Sequence, residues 1–283
     1  MFNMEVYNRN TFENPLEIRQ YNKLSGYINN GEEVTIKAAL RHNPEPRILD
    51  IGVGGGRTTP ILHPHAKEYL GVDYAPAMVD LARRKQPYAD YKVMDARDLS
   101  EFPDAHFDLV VFSFNGIDSV NKESRIQVLK EISRVLAPNG VFLFSTMNMN
   151  WEGYNSRRPL IELTWTGNPV RMVARLALAL AGFFKRQYLI RFEETDQDHA
   201  LKIHPAHHFG VMYHTVTPKK IKSELLESGL QGAVKLFSKD GPELTGDYYD
   251  KEEYFQVIAF KKAGADMGDV SSTPTMVQAP EYS

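Results

Sequence analysis

Residues 48–60 read ILDIGVGGGRTTP: an apolar run closes on Asp50, and four glycines (Gly52, Gly54, Gly55, Gly56) follow before a hydrophilic turn. A short buried strand that opens into bare backbone brings main chain close to a ligand, because a residue without Cβ takes conformations and approaches that others cannot. Spacing narrows the choice of ligand. In the dinucleotide fingerprint glycines fall as G-x-G-x-x-G; counted from Gly52, the third place holds Arg57, too bulky for tight helix–strand packing. A phosphate-cradling P-loop ends in Gly-Lys-Ser/Thr, and GGRTT has no lysine. What the stretch does carry is an acid followed by glycine at every second position: Asp50, Gly52, Gly54, Gly56.

Around this stretch a strand–helix rhythm runs from Arg47. RILDI, EYLGVD, YKVMDA, FDLVVFSF and VFLFSTM read as five strands, with helices APAMVDLARRKQ and ESRIQVLKEISRVL among them. The strands are apolar throughout rather than alternating, the pattern of a parallel sheet covered on both faces. The pattern breaks from about Asn148 to His214 and resumes with the helix TPKKIKSELLESGL. GAVKLFS and YFQVIAFKK then have no helix between them and read as an antiparallel pair. From Ala263 the chain has too few large apolar residues to pack, and a disordered tail is expected.

Composition sets outer limits. The 283 residues, 42% hydrophobic, suffice for one large core. A net charge of −3 gives no reason to expect nucleic acid as a partner. The absence of cysteine removes disulfides, thiolate nucleophiles and cysteine-ligated metals together. The start, MFNMEVYNRN, does not read as a signal peptide. The longest uncharged apolar run, Leu176 to Phe184, is about half of the roughly 20 residues needed to cross a bilayer. A cytoplasmic protein without a membrane span is the expectation.

The glycine stretch resembles the first signature of the class I S-adenosylmethionine (SAM)-dependent methyltransferases, and further matches follow in order. Asp73, at the end of EYLGVD, stands where such families place the acid that accepts both ribose hydroxyls. In VMDARDL, Asp95 and Ala96 match the pair that meets the adenine. FDLVVFSFNGIDSV resembles the fourth-strand signature and contributes Ser113 and Phe114, and RVLAPNGVFLFST resembles the helix–turn–strand after it. With Tyr74 and Met78 beside the adenine and ribose, the resemblance implies a cofactor-binding set of Asp50, Gly52, Gly54, Gly56, Asp73, Tyr74, Met78, Asp95, Ala96, Ser113 and Phe114. SAM has no phosphate to hold. Its methionine tail suits close backbone, and its ribose suits a carboxylate acceptor.

The implied fold is α/β and Rossmann-like: a seven-stranded, mostly parallel sheet with an antiparallel last strand, helices on both faces, and a helical or irregular cap insertion after strand five. The expected division is an N-terminal helical cap (1–43), a SAM-binding core (44–147), a substrate-cap insertion (148–214), the remainder of the sheet (215–262) and the tail (263–283).

Methyl transfer from a sulfonium is an in-line displacement, so the protein mainly aligns the acceptor and excludes water. A base is needed only when the acceptor arrives protonated. Several acceptors are argued against. SFNG is not the N/D-P-P-Y/F of amino-directed DNA enzymes, cytosine C5 chemistry needs a cysteine, and the glutamate pair of protein-arginine enzymes is absent. What remains is transfer to an oxygen or nitrogen of a small molecule. The layout resembles natural-product and amino-sugar methyltransferases. A lipid or membrane-associated acceptor and a non-catalytic SAM-binding homologue are the alternatives.

Five of the nine histidines fall within 199–214. A metal site is not expected, because no i, i+4 pair with a glutamate occurs. Of His207, His208 and His214, the latter two are the expected catalytic bases, on the apolar and aromatic character of Phe209, Val211 and Met212 beside them. Asn115 and Asp118 are alternative polar groups on the acceptor side, and Tyr7, Tyr21, Trp151 and Trp165 are candidates to close the pocket. In NPVRMVARLALALAGFFKRQYLIRF, Val170, Val173, Ala177, Leu180 and Phe184 line one helical face. Three readings stay open for it: a lid packed on the domain, a pocket for a lipophilic acceptor, or contact with anionic lipid.

Overall fold

The computed structural model describes residues 2–24, 26–154 and 167–261; the side chains of Ala206 and His208 also lie outside the description. Five strands run parallel: β1 (Arg47–Ile51), β2 (Glu68–Asp73), β3 (Asp90–Val93), β4 (Phe107–Phe112) and β5 (Leu136–Met147). Three later strands extend the sheet: β9 (Val234–Phe237), β10 (Glu243–Leu244) and β11 (Tyr254–Phe260). The order is β10-β9-β11-β5-β4-β1-β2-β3, and β11 is antiparallel to both of its neighbours. Among the described residues the sheet therefore has eight strands where seven are expected. The addition is the two-residue β10, which pairs with β9 across a turn too polar to read as a strand.

Helices cover both faces because both faces of the strands are apolar. On one side α6 (Lys122–Val135) and α9 (Pro218–Glu227) pack Val128, Ile132, Ile221 and Leu225 against Leu49, Val110, Phe142 and Phe255. On the other, α3 (Asn30–His42) and α5 (Pro76–Lys85) pack Ile36, Ala39, Val79 and Ala82 against Ile48, Leu109 and Ile258. The short α4 (Thr59–Leu62) follows the glycines. Starts are marked locally. Asn29 and Glu32 form a capping box on α3, and Asn121 caps α6. Strand order reverses between β1 and β4, so the crevice beyond their carboxyl ends is where an open α/β sheet takes a ligand.

Two N-terminal helices, α1 (Met4–Phe12) and α2 (Pro15–Tyr21), lie over that crevice. Asn8, fully buried, pins α1: its Nδ2 donates to the carbonyls of Ser119 (3.1 Å) and Met212 (2.8 Å), and its Oδ1 accepts from the Met212 amide (3.0 Å). The insertion corrects the expectation of a helical or irregular cap. It holds the long α7 (Pro169–Leu189), then an antiparallel sheet of β6 (Glu194–Thr195), β7 (His199–His204) and β8 (Val211–Val216), with the short α8 (Ala206–Phe209) between β7 and β8. All six residues of β8 are buried, including His214 and Thr215. Polar residues on a strand covered on both sides hide its period from sequence reading. Trp165 and the segment from 263 lie outside the described residues. Among the described residues no helix is long and apolar enough to cross a membrane.

Candidate active site

The glycine turn is shaped by positive backbone angles. Gly52 (φ +64°) follows β1, and a Cβ there would stand 2.7 Å from the Phe112 ring. Gly54 (φ +54°) turns its amide onto Asp73 Oδ2 at 2.9 Å. Asp73 Oδ1 accepts the Ala75 amide at 2.9 Å, so the acid at the tip of β2 fastens the turn to the start of α5, where Ala75 rather than Asp73 is the N-cap residue. Burial pushes the Asp73 carboxyl up to about 6, against the pull of those two amides.

One cavity lies beyond these strand ends, about 1100 Å³ when the solvent at its mouth is included, enough for a cofactor and an acceptor together. Of the expected cofactor set, Gly52, Gly54, Asp73, Tyr74, Met78, Asp95, Ala96, Ser113 and Phe114 all line it. Asp50 and Gly56 do not. Asp50 is fully buried beneath the turn, where its Oδ2 accepts from Thr58 Oγ1 (2.6 Å) and Tyr69 Oη (2.8 Å); burial holds its carboxyl up at about 6. Its place is to hold the loop, not to touch a ligand. A Cβ at Gly56 would meet Gln86 Oε1 at 2.2 Å, so that glycine serves packing against the end of α5.

The expectation for His214 is corrected. It does not line the cavity, its side chain is buried, and neither ring nitrogen has a hydrogen-bond partner among the described residues. Burial, then the charge of Arg125, lower its pKa to about 2, which leaves a ring too weakly basic to take a proton. The backbone of His208 lies in α8; its side chain is outside the description. His207 stands behind the cavity wall: its Nδ1 meets Glu17 Oε2 at 2.5 Å, and its ring lies parallel to that of Tyr21, centroids 6.1 Å apart. Tyr21 lines the cavity, whereas Tyr7 and Trp151 do not. Asn115 and Asp118 are also outside it; Asp118 is buried in an ion pair with Arg125 at 2.5 Å.

Sequence reading passes over Glu5, Phe12, Arg57, Arg97 and Tyr213, all of which face the cavity. Glu5 and Phe12 come from α1, whose weak amphipathic pattern gives no sign of a binding face. Tyr213 sits in the window read for its histidines. Glu5 is buried, and its Oε1 accepts the Asn121 amide at 3.1 Å. Arg57, the residue that spoils a dinucleotide pattern, forks onto Glu32 (2.6 and 3.1 Å), donates to Ser113 Oγ (3.1 Å) and lies 4.6 Å over the Phe114 ring. Arg97 holds Asp95 through Nη2 at 2.6 Å. Burial pushes the Asp95 carboxyl up, but the bonds from Arg97 outweigh it and leave the acid below its usual range. Burial raises the Tyr21, Tyr74 and Tyr213 hydroxyls well above the ordinary phenol range, so they stay protonated.

The donor set fits SAM. Both arginines at the cavity already face carboxylates, Arg57 with Glu32 and Arg97 with Asp95, while Asp73 and Glu5 add negative charge. Such a balance favours a sulfonium cation over a polyphosphate. The buried Tyr74 hydroxyl has no partner among the described residues and faces the same space.

Fold and cavity together define an open α/β domain that binds its ligand where strand order reverses. Residues 49–144 match the family model described as a methyltransferase domain. Over those residues the chain is similar to the class I SAM-dependent methyltransferases. A demethylmenaquinone methyltransferase of Thermus thermophilus is 35% identical over 113 residues, 37% of this chain and 48% of the relative. A malonyl-[acyl-carrier protein] O-methyltransferase of Halorhodospira halophila is 36% identical over 104 residues, 35% of this chain and 34% of the relative. The match thus spans less than half the length of either relative. Among solved structures, a SAM-dependent methyltransferase from Methanosarcina mazei superposes with a TM-score of 0.53 at 20% identity, covering 81% of this chain and 97% of that one.

Proposed function

We propose that the chain methylates an oxygen or nitrogen of a largely apolar or aromatic small molecule, with SAM as methyl donor, inside the capped cavity. The observation that carries this reading is continuity. The glycine turn, Asp73 and Asp95 share one cavity with Phe12, Tyr21 and Tyr213 from the cap. When bound, SAM supplies a methyl group on a sulfonium, already a good leaving group.

The chain's own residues then have three tasks. Asp73 accepts the ribose hydroxyls, its oxygens being already aimed by the Gly54 and Ala75 amides. Phe12, Tyr21 and Tyr213 exclude water and hold the acceptor's flat or apolar body in line. Glu5 takes the acceptor's proton where there is one to lose. It is the cavity-lining carboxylate on the cap, and it takes the role expected of His214. The two relatives are named for different acceptors, so kinship does not choose one.

Incubation with methyl-labelled SAM and a metabolite extract, read by mass spectrometry, tests the reading. Label on the oxygen or nitrogen of an apolar or aromatic metabolite is expected. Label on nucleic acid or protein alone, or no transfer alongside intact SAM binding, would overturn it; the last result would mark a non-catalytic homologue.

A further inference from the structure

α7 turns its apolar side outward. Val170 is 76% exposed, Val173 67% and Phe184 68%, with Leu176, Leu180 and Tyr188 exposed as well. At helical spacing these residues share one face. The reading of a lid packed by that face onto the domain is therefore corrected. Among the described residues of α7 only Gly182 and Leu189 are buried, both in its C-terminal half, and Leu189 joins Met4, Ile203 and Met212 beneath the cap. The helix is thus tethered near one end and presents a long apolar surface to whatever lies outside.

Its charge says what that is. From Asn168 to Phe192 the chain carries Arg171, Arg175, Lys185, Arg186 and Arg191 and no acid, within a protein of net charge −3. Arg191 lies 5.0 Å over the exposed Tyr188 ring, an aromatic–cation pair suited to a headgroup layer. A second copy fits this face poorly. Antiparallel pairing about a two-fold axis would set Arg171 and Arg175 of one chain against Lys185 and Arg186 of its mate. We infer that α7 is a peripheral docking helix that lies in the surface of a bilayer containing anionic phospholipid, its exposed apolar face among the acyl chains and its cations at the headgroups. Because α1 contributes both to the Leu189 cluster and to the cavity wall, docking brings the cavity cap to the membrane surface.

Vesicle flotation tests this with the full chain, using phosphatidylcholine vesicles with and without phosphatidylglycerol. Flotation is expected only with the anionic vesicles, and raised salt should reverse it. Arg171→Glu should lower partitioning by roughly fivefold or more, and the double variant Leu180→Asp, Phe184→Asp should abolish it. These side chains are exposed, so the melting temperature of the double variant should match the parent. No flotation with anionic vesicles, or undiminished flotation of the double variant, would overturn the inference. So would a dimer in sedimentation that the same variant converts to monomer, since a second copy would then cover the face.

Discussion

Asp73 is gripped through both carboxylate oxygens by backbone amides, of Gly54 and of Ala75, and still faces the cavity. With its carboxyl held at about 6 by burial, the sign of its pH dependence follows. Folding disfavours its ionisation, so the stability it contributes is present in acid and is lost as pH rises through about 6. A ligand whose hydroxyls donate to the carboxylate favours the ionised form. Affinity for S-adenosylhomocysteine should therefore fall by about tenfold per pH unit below that value, and Asp73→Asn should bind weakly with a flat profile. Titration calorimetry across pH checks both. Glu5→Gln should lower kcat by about a hundredfold or more toward an acceptor that must lose a proton, with affinity for S-adenosylhomocysteine unchanged. Equal loss of binding would assign Glu5 to the cofactor instead. That Asp73 and Asp95 reach the cavity is legible in the sequence, because Asp73 ends β2 and Asp95 follows closely on β3, in order after the glycines. Asp50 and His214 are misread for one reason: a motif or a cluster names a residue type, while only packing tells whether its side chain faces the ligand or the core.

At the scale of elements, the cap depends on polar groups buried with full partners. Asn8 holds α1 to the turn after β4 and to β8 through three hydrogen bonds. Asn8→Ala leaves the Met212 amide and carbonyl without that partner and should cost about 1–3 kcal/mol of stability in denaturant unfolding. It should also raise the KM for the acceptor more than that for SAM, since α1 supplies Glu5 and Phe12. The helices around the sheet are legible from their caps and periodicity, as at Asn29–Glu32 and Asn121. The β7–β8 hairpin is not, because His204 interrupts the half-buried β7, and His214 and Thr215 interrupt the apolar pattern of β8, which packing nonetheless buries throughout. The outward face of α7 is equally hidden. Its amphipathic pattern fixes a helix but not which side meets the protein.

Across the whole molecule, the reversal of strand order at β1 and β4 places the site; the parallel strands follow from the sequence, their order does not. What sequence does not announce is the polar lock beneath it. Arg125, fully buried on α6, reaches Asp118 at 2.5 Å and Glu224 of α9 at 2.8 Å, with Thr146 of β5 at 3.1 Å. Removing one member strands buried charge, so Arg125→Met should lose about 3–5 kcal/mol in equilibrium unfolding. The partners lie up to about a hundred positions away in the chain, and no local pattern pairs them. The central claim, that this cavity is a SAM site closed by the cap, meets its most direct test in calorimetric titration of the whole chain with S-adenosylhomocysteine and, separately, with NAD. Saturable binding of the first at one site per chain, lost in Asp73→Ala, together with no binding of the second, is the predicted result. NAD binding, or S-adenosylhomocysteine affinity untouched by Asp73→Ala, would contradict it.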